Sequence, residues 1–203
     1  MRPFLRTLAL LASISSAAHA QADAPPPASP RGWSLGTSVW MVANALPKPP
    51  HFYILELGRN LTPRDMLVVT ALTWTYPGPI GIPYGESFGD PKEDYPGLVR
   101  SFGLAVGYRR ALYRGLGASV HAFHSAQRYE ERGQPARTGY QLYLQARLGY
   151  RFTFGGVPLW VEPSLVGSAW PIQTNRPASF RAKDDRWPSF FVAEPWLNVG
   201  VAW

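Results

Sequence analysis

The chain contains no cysteine. It can therefore form no disulfide, no thiolate metal site and no lipid anchor on a cysteine. After the first twenty positions it also lacks any run of about 18 apolar residues, so the rest of the chain holds no candidate transmembrane helix. Charged residues are scarce as well, at 16% against about 25% in an average soluble domain. A surface with so little charge is not expected to face water everywhere.

Lysine is nearly absent. The sequence has Lys48, Lys92 and Lys183 and no others, and each falls in a segment predicted to be a loop. Soluble β-proteins usually place lysine on their edge strands. Its absence from the predicted strands, together with an aromatic content of 14%, favours lipid on the outside.

The first twenty residues have the features of a secretory signal peptide. Arg2 and Arg6 precede an apolar stretch over residues 8–14, and small residues lead to a cleavage site near Ala20. A buried N-terminal helix is the alternative. Residues 21–32 are rich in alanine and proline, which predicts a flexible lead before a single domain over 33–203.

The net charge of +7 is a modest basic excess. Without Arg2 and Arg6, 18 basic residues remain against 13 acidic ones. This excess fits an anionic neighbour such as lipopolysaccharide phosphate, and by itself would also fit nucleic acid. The basic residues form no stripe, however, and secretion separates the chain from nucleic acid, so that partner is not expected.

The segment 141–154, QLYLQARLGYRFTF, alternates apolar and polar side chains at every step. It is too polar for a membrane helix, but its length and period of two are those of a strand that crosses a bilayer within a closed barrel. Similar segments predict eight strands, over residues 33–44, 52–58, 66–76, 101–112, 116–129, 141–154, 159–170 and 190–203. The third is apolar on both faces, which leaves its orientation open.

The predicted connections alternate in length. Short turns follow the second, fourth and sixth strands, and long loops follow the third, fifth and seventh, whereas the first connection is shorter than this pattern requires. With both termini in the periplasm, the short turns lie inside and the long loops outside. A soluble lipocalin-like barrel, with the apolar faces turned inward, remains the alternative.

Glycines at two turns predict strand registers. A three-residue turn ending at Gly115 pairs Leu112 with Leu116, Tyr108 with Val120 and Gly107 with His121. A two-residue Gly155-Gly156 turn pairs Phe154 with Val157, Phe152 with Leu159, Arg151 with Trp160 and Arg147 with Ser164. Pro163 and Pro195 remove ladder donors within strands, so bulges are expected there.

The chain ends in an alternating apolar strand closed by an aromatic residue, with Leu197, Val199, Val201 and Trp203 on one face. With the strand pattern, this end resembles the small eight-stranded outer-membrane β-barrel proteins of Gram-negative bacteria. The resemblance implies an all-β fold, an eight-stranded antiparallel up-and-down transmembrane β-barrel, in contact with outer-membrane lipid and lipopolysaccharide. It also implies that these four residues are an assembly signal read by the barrel-assembly machinery, although Asn198 stands where glycine is common.

Inward-facing charges form the most distinctive local feature. The Gly-Gly register places Glu162 opposite Gly149, diagonally flanked by Arg147 and Arg151. Buried charges must be paired, and an eight-stranded barrel is just wide enough to be filled by its own side chains. A packed polar plug is therefore favoured over an ion pathway or a catalytic carboxylate. The predicted interior network consists of Arg147, Arg151, Glu162, Glu194, Glu56 and Arg109.

A second candidate site is a rim of cations in the outer loops. Arginine forks match phosphate oxygens, so this rim could bind lipopolysaccharide phosphates, although an ordinary solvated loop explains it equally well. Its residues are Arg128, Arg132, Arg137, Arg176, Arg181, Lys183 and Arg186.

Enzymatic function is not expected. His124 and Ser125 point to opposite faces of one strand, while Ser119 and His121 share a face but lack an inward carboxylate at their level to orient the imidazole. No metal site, cofactor motif or metal-ligand spacing is found. The sequence favours an envelope or surface-interaction role. A lipid A acyl hydrolase or transferase, and a small pore or carrier of hydrophobic ligands, remain alternatives; the oligomeric state is open.

Overall fold

The computed structural model describes residues 32–83 and 89–203. The predicted signal peptide and all but the last residue of the lead lie outside these ranges. The strands are β1 Trp33–Ser38, β2 Tyr53–Asn60, β3 Asp65–Tyr76, β4 Gly97–Tyr113, β5 Leu116–Glu131, β6 Arg137–Tyr150, β7 Phe152–Thr153, β8 Leu159–Gln173 and β9 Phe190–Ala202. Two 3-10 helices cover Val39–Ala45 and Pro91–Glu93, and one α-helix, α1, covers Ala178–Asp184. None of the helices in the described ranges has the length and apolar character needed to cross a membrane.

The strands close into a ring. Each strand from β1 to β6 pairs antiparallel with the next, β6 pairs with β8, and β9 returns to β1. The two-residue strand β7 continues the line of β6 along β8. β6 and β7 therefore count as one strand, and the ring has eight strands. The predicted eight-stranded antiparallel barrel is confirmed.

The apolar faces of the strands point outward. On β4, Phe102, Leu104 and Val106 are 61%, 54% and 61% exposed, whereas Ser101 and Ala105 between them are buried. On β3, whose orientation the sequence left open, Met66, Val68 and Thr70 are buried, whereas Leu67 and Val69 are exposed. Large apolar side chains on the outside and small or polar ones inside are the arrangement of a bilayer-spanning barrel and the reverse of a lipocalin.

The two ends of the barrel differ. At one end, here called the turn end, Trp33 and Trp203 exchange backbone hydrogen bonds of 2.7 and 2.9 Å, and the connections 61–64, 114–115 and 154–158 are short. The other end, the loop end, carries the connections 39–52, 77–96, 132–136 and 174–189.

The predicted lengths of two loop-end connections are wrong. The first strand ends at Ser38 and not at residue 44, because the chain turns into a 3-10 helix that Ser38 caps by accepting a hydrogen bond from the Trp40 amide. The first loop-end connection is therefore long, as the alternation of loop lengths requires. Conversely, β5 and β6 extend to Glu131 and from Arg137, which leaves only 132–136 where a long loop was expected.

The Gly-Gly register is also wrong, by two residues. Phe152 pairs with Val161 and not with Leu159, and Gly149, not Arg147, lies opposite Ser164. The turn is wider than two residues, because Phe154 donates its amide to the Leu159 carbonyl at 3.4 Å. A slip of two keeps every side chain on its predicted face, since the side-chain period of a strand is two.

The β4–β5 hairpin follows the prediction along its length and departs from it at the tip. Tyr108 pairs with Val120 and Gly107 with His121, as expected. At the turn, a bulge makes Tyr113 the partner of Leu116. Arg114, and not Gly115, takes the left-handed backbone conformation, with a φ of 50°.

Both strand prolines coincide with irregularities in the ladder. The Leu159 carbonyl faces β7, so odd-numbered residues of this part of β8 direct their backbone groups to the same side. Pro163 is an odd-numbered residue, so its nitrogen faces β6 but has no hydrogen to donate. The backbone pairing along β8 is interrupted at this level, between Gly149 and Phe152. Near Pro195, the register of β8 with β9 shifts between Val166 and Ser168.

Candidate functional site

An ion-paired cluster crosses the turn-end half of the barrel interior. The Glu162 carboxylate accepts from Arg151 Nε at 2.6 Å and lies 3.2 Å from Arg109 Nη2. These side chains are 10 to 17% exposed. Arg109 lies on β4, Glu162 on β8, and Arg151 between β6 and β7. One carboxylate thus serves two guanidinium groups in a place where water is largely excluded.

A second ion pair extends this cluster across the barrel. Arg147 on β6 donates to Glu56 on β2 at 2.6 Å, and Asn198 donates to the other Glu56 oxygen at 3.2 Å. Arg147 also donates to the Gln145 side chain at 2.8 and 3.2 Å. The cluster that we call the ion layer consists of Glu56, Arg109, Arg147, Arg151 and Glu162.

An aromatic residue underlies the ion layer. The Arg151 guanidinium lies 4.0 Å from the centre of a Trp160 ring. The indole covers Gly36 and Gly200 on neighbouring strands, where an added Cβ would come within 2.6 and 2.4 Å of the ring. Glycine is required at both positions because the ring occupies the space of a side chain.

Two predicted interior contacts are corrected. Arg147 was expected beside Glu162, but its partner is Glu56, because the two-residue slip moves Glu162 toward the turn end and ring closure brings β2 across from β6. Glu194 forms no ion pair with any described residue. Its carboxylate accepts from the Ser168 hydroxyl at 2.7 Å, on the adjacent strand.

Ser119 and His121 are brought together in the interior. His121 Nε2 lies 3.0 Å from the Ser119 hydroxyl oxygen, and both residues are buried. The other ring nitrogen, Nδ1, has no hydrogen-bond partner among the residues that the structure describes, so none of their carboxylates orients the imidazole. His124 faces outward and pairs with the Tyr140 hydroxyl at 2.8 Å.

The loop end is organised by buried aromatic side chains. Phe180 of α1 is fully buried, with ring centres 5.3 Å from both Tyr95 and Tyr129. Tyr76 and Val99 complete this group, which we call the loop-end cap. Burial raises the pKa of the Tyr95 hydroxyl to about 12, and that hydroxyl donates to the Leu98 carbonyl at 2.6 Å.

Polar contacts join the two long loops above the cap. Arg186 lies 2.8 Å from the buried Glu93 carboxylate, which also accepts from the Trp187 indole at 3.2 Å. Arg176 lies 2.6 Å from Asp184 and 2.8 Å from Asp185. Burial raises the pKa of Asp184, although its bond to Arg176 opposes the shift.

The seven predicted rim residues fall into two groups. Four have partners in the protein: Arg128 pairs with Glu130 at 3.0 Å, Arg176 and Arg186 form the pairs above, and Lys183 donates to the Lys92 carbonyl. The side chains of the other three make no hydrogen bond or ion pair within the described ranges. These unpaired cations are Arg132, Arg137 and Arg181.

Two clefts lie beside the unpaired cations. Arg137 lines a cleft of about 210 Å³ with Gln134 and Ser179, whose hydroxyl has no partner. Arg132 lines another of about 640 Å³ with Tyr95 and Glu131. Sequence reasoning missed Ser179, as it missed Tyr95 and Phe180 of the cap, because these residues lie in loops without periodicity.

The remaining predicted residues lie on the last strand. Leu197, Val199 and Val201 pair with β8, and Trp203 at the turn end is 62% exposed and bonded to Trp33. Their role in assembly stays a prediction. The described part of the chain holds no group of three or more His, Asp or Glu side chains arranged to bind a metal ion.

The closed ring, its outward apolar faces and its ion-paired interior define a small transmembrane β-barrel of the outer-membrane type. No protein-family model and no curated protein matches the sequence. The solved structures that are similar to this chain include two bacterial surface proteins. Ail, the attachment invasion locus protein of Yersinia pestis, solved with the heparin analogue sucrose octasulfate, has a TM-score of 0.42 and 10% identity, over 85% of this chain and 95% of Ail. Neisserial surface protein A has a TM-score of 0.43 and 9% identity, over 84% and 93%.

Proposed function

We propose that this protein is a non-enzymatic outer-membrane barrel whose loop end binds the phosphate groups of lipopolysaccharide. The observation that carries the proposal is the group of unpaired cations, Arg132, Arg137 and Arg181, at the end that bears the long loops. Neighbouring arginines are already matched by carboxylates, so these three retain the capacity to bind an external anion. Guanidinium forks fit phosphate oxygens in a bidentate manner.

The test removes these three charges and compares them with a matched set. The variant R132Q/R137Q/R181Q is purified in detergent beside R59Q/R64Q/R114Q, which removes three exposed arginines from the turn end. The proposal expects the loop-end variant to lose lipopolysaccharide binding by at least about tenfold, in line with the free energy of a few charge-assisted contacts, while the turn-end variant keeps it.

Salt gives a second readout of the same proposal. Binding through phosphate contacts weakens as ionic strength rises, because exposed charges are screened. Equal loss of binding in the two variants, or binding by the parent protein that does not depend on salt, would refute a phosphate-binding rim.

We also propose that the barrel interior is closed to solutes. The ion layer closes the barrel near the turn end and the loop-end cap closes its mouth at the other end, and both consist of side chains in mutual contact. A barrel of eight strands is narrow enough for its side chains to fill. Planar bilayer recordings of the full protein should show no stepwise conductance, whereas discrete ion-conducting steps would establish a pore.

The same interior argues against catalysis. Ser119 and His121 are close enough for a nucleophile and base, but both are buried and the imidazole lacks an orienting acid. Expression in a Gram-negative host should leave the acyl chains of lipid A unchanged by mass spectrometry. A missing or added acyl chain that S119A abolishes would establish the enzymatic alternative.

A further inference from the structure

The barrel wall is incomplete at the loop end between β9 and β2. β1 pairs with β9 only from Ser34 to Ser38, opposite Ala202 to Asn198. β9 continues to Phe190, and no strand within the described residues pairs with it on that side above Asn198. The first 3-10 helix and the segment after it occupy this position. We call this region, between β9 residues 190–197 and the start of β2, the seam.

Side chains form hydrogen bonds with backbone groups of the two strand edges that border the seam. On the β2 side, the Asn44 amide bonds to both the N–H and the C=O of Phe52, at 2.9 and 2.7 Å, and Thr37 donates to the Ile54 carbonyl at 2.6 Å. On the β9 side, the Ser38 hydroxyl donates to the Leu197 carbonyl at 3.4 Å. Backbone groups in a membrane need such partners, because the hydrocarbon region supplies none.

Pro195 protects the β9 edge as well. Trp203 exchanges both backbone bonds with Trp33, so odd-numbered residues of β9 direct their backbone groups toward β1 and the seam. The nitrogen of Pro195 therefore faces the seam and has no hydrogen to leave unpaired. The register shift beside it distorts the edge further. Prolines, bulges and side-chain caps are the devices by which proteins keep an edge from pairing with another strand. A β-strand is therefore not the expected occupant.

The surface around the seam is apolar on the membrane side. Val192 on β9 is 79% exposed and Val42 on the 3-10 helix is 68% exposed, with Phe190 and Trp40 also exposed. Their position near the loop end corresponds to the outer leaflet of the membrane. The medium next to the seam is therefore lipid hydrocarbon.

Behind the seam, the interior is lined by aromatic rings that are only partly buried. Phe52 contacts Trp196 and Trp74 edge to face, with ring centres 6.0 and 6.3 Å apart. All three rings are only partly buried, whereas Phe123 on β5 and Trp170 on β8 are 1% and 3% exposed. Accessible aromatic rings thus lie beside the gap in the wall.

We propose that the seam is a lateral portal through which one acyl chain of an outer-leaflet lipid enters the loop-end half of the barrel and packs on Phe52, Trp74 and Trp196. The apolar border selects hydrocarbon, the protected edges keep the gap free of strands, and the rings provide the contact surface. The ion layer lies nearer the turn end and stops the chain there, so the portal leads into the barrel and not through it.

The test is photocrosslinking from a lipid chain. The full protein is reconstituted in nanodiscs that contain phosphatidylethanolamine with a mid-chain diazirine, illuminated, and mapped by mass spectrometry. Outward residues such as Leu104 will be labelled in any case and serve as the internal standard. The portal predicts adducts on Phe52, Trp74 or Trp196 at a level severalfold above those on Phe123 and Trp170. Adducts restricted to outward side chains would overturn it.

A pair of variants sharpens the result. W196A removes a ring beside the seam, and W170A removes an interior ring of the same size from β8. The portal predicts that W196A increases adducts on Phe52 and Trp74, whereas W170A leaves them unchanged. If both variants increase labelling equally, the chain enters by general loosening of the barrel and the portal is wrong. Lipopolysaccharide binding is measured separately, so failure of the phosphate rim leaves this test unaffected.

Discussion

The ion layer and the loop-end cap close the two ends of one barrel by different physical means. The ion layer joins β2, β4, β6 and β8 through inward-facing charges, together with Arg151 between β6 and β7. The cap places a helix residue, Phe180, among aromatic side chains at strand ends and in a loop. The ion layer connects strands of the barrel to one another, whereas the cap connects loops to the strands. The two halves should therefore differ in whether a mutation destabilises the whole barrel or only its mouth.

The largest expected effect is in the ion layer. Glu162→Gln leaves Arg109 and Arg151 facing each other without a countercharge, and breaking a buried pair in this way costs about 3 to 5 kcal/mol. Unfolding in detergent, followed by heat-dependent gel mobility and urea titration, should show this loss for the whole barrel.

The matched control is Glu130→Gln. Glu130 also lies between two arginines, 3.1 Å from Arg100 and 3.0 Å from Arg128, but on the exposed outside. Exposed pairs contribute about 0 to 1 kcal/mol. Equal destabilisation by the two substitutions would mean that the interior is as wet as the surface, and the ion layer would not hold the ring together.

The next effect is in the cap. Phe180→Ala removes a fully buried ring, a change that costs about 3 to 5 kcal/mol in a packed core. Since α1 belongs to a loop, we expect the loss to appear as local opening and not as global unfolding. Hydrogen exchange in residues 174–189 should accelerate by at least about 100-fold, while the barrel strands keep their protection. A fall in global stability as large as that of Glu162→Gln would erase the distinction between the two halves.

The smallest expected effect concerns the two strand prolines, Pro163 beside the ion layer and Pro195 in the loop-end half. Pro163→Val beside the ion layer restores a donor facing β6, and one added backbone bond contributes about 0.5 to 1.5 kcal/mol. Pro195→Val in the loop-end half places its new N–H at the seam, where no strand accepts it. Urea unfolding should therefore show a gain for the first substitution and none for the second. A gain for Pro195→Val would show that an acceptor lies within the seam.

The alternation within strands was sufficient to predict the fold and the face of most residues. The interior positions of Glu56, Arg109, Arg147 and Glu162 follow from parity alone, and they survive the slip at the Gly-Gly turn because it is two residues long. Their partners could not be predicted in this way. Arg147 meets Glu56 because ring closure sets β2 across from β6, and a register based on a single turn carries no information about the opposite wall.

The structure of the loops was even less predictable from the sequence than the pairing of the charges. Phe180 is a single apolar residue in a charged segment, and nothing periodic indicates that it is buried. The end of β1 at Ser38 was also missed, since residues 39–43 are all apolar and contain no turn signal that would end a predicted strand. There the chain forms a 3-10 helix with its own cap, and local hydrogen bonds override the pattern.

The sequence by itself determined that this chain forms an all-β ring with apolar side chains outside and charges inside, because side-chain parity is a local property that each strand carries independently. Only the tertiary structure decided which charges pair, which loop residue covers the mouth and where the wall is left open. Each of these depends on the closure of the ring, which brings together residues far apart in the chain and fixes the level at which they meet.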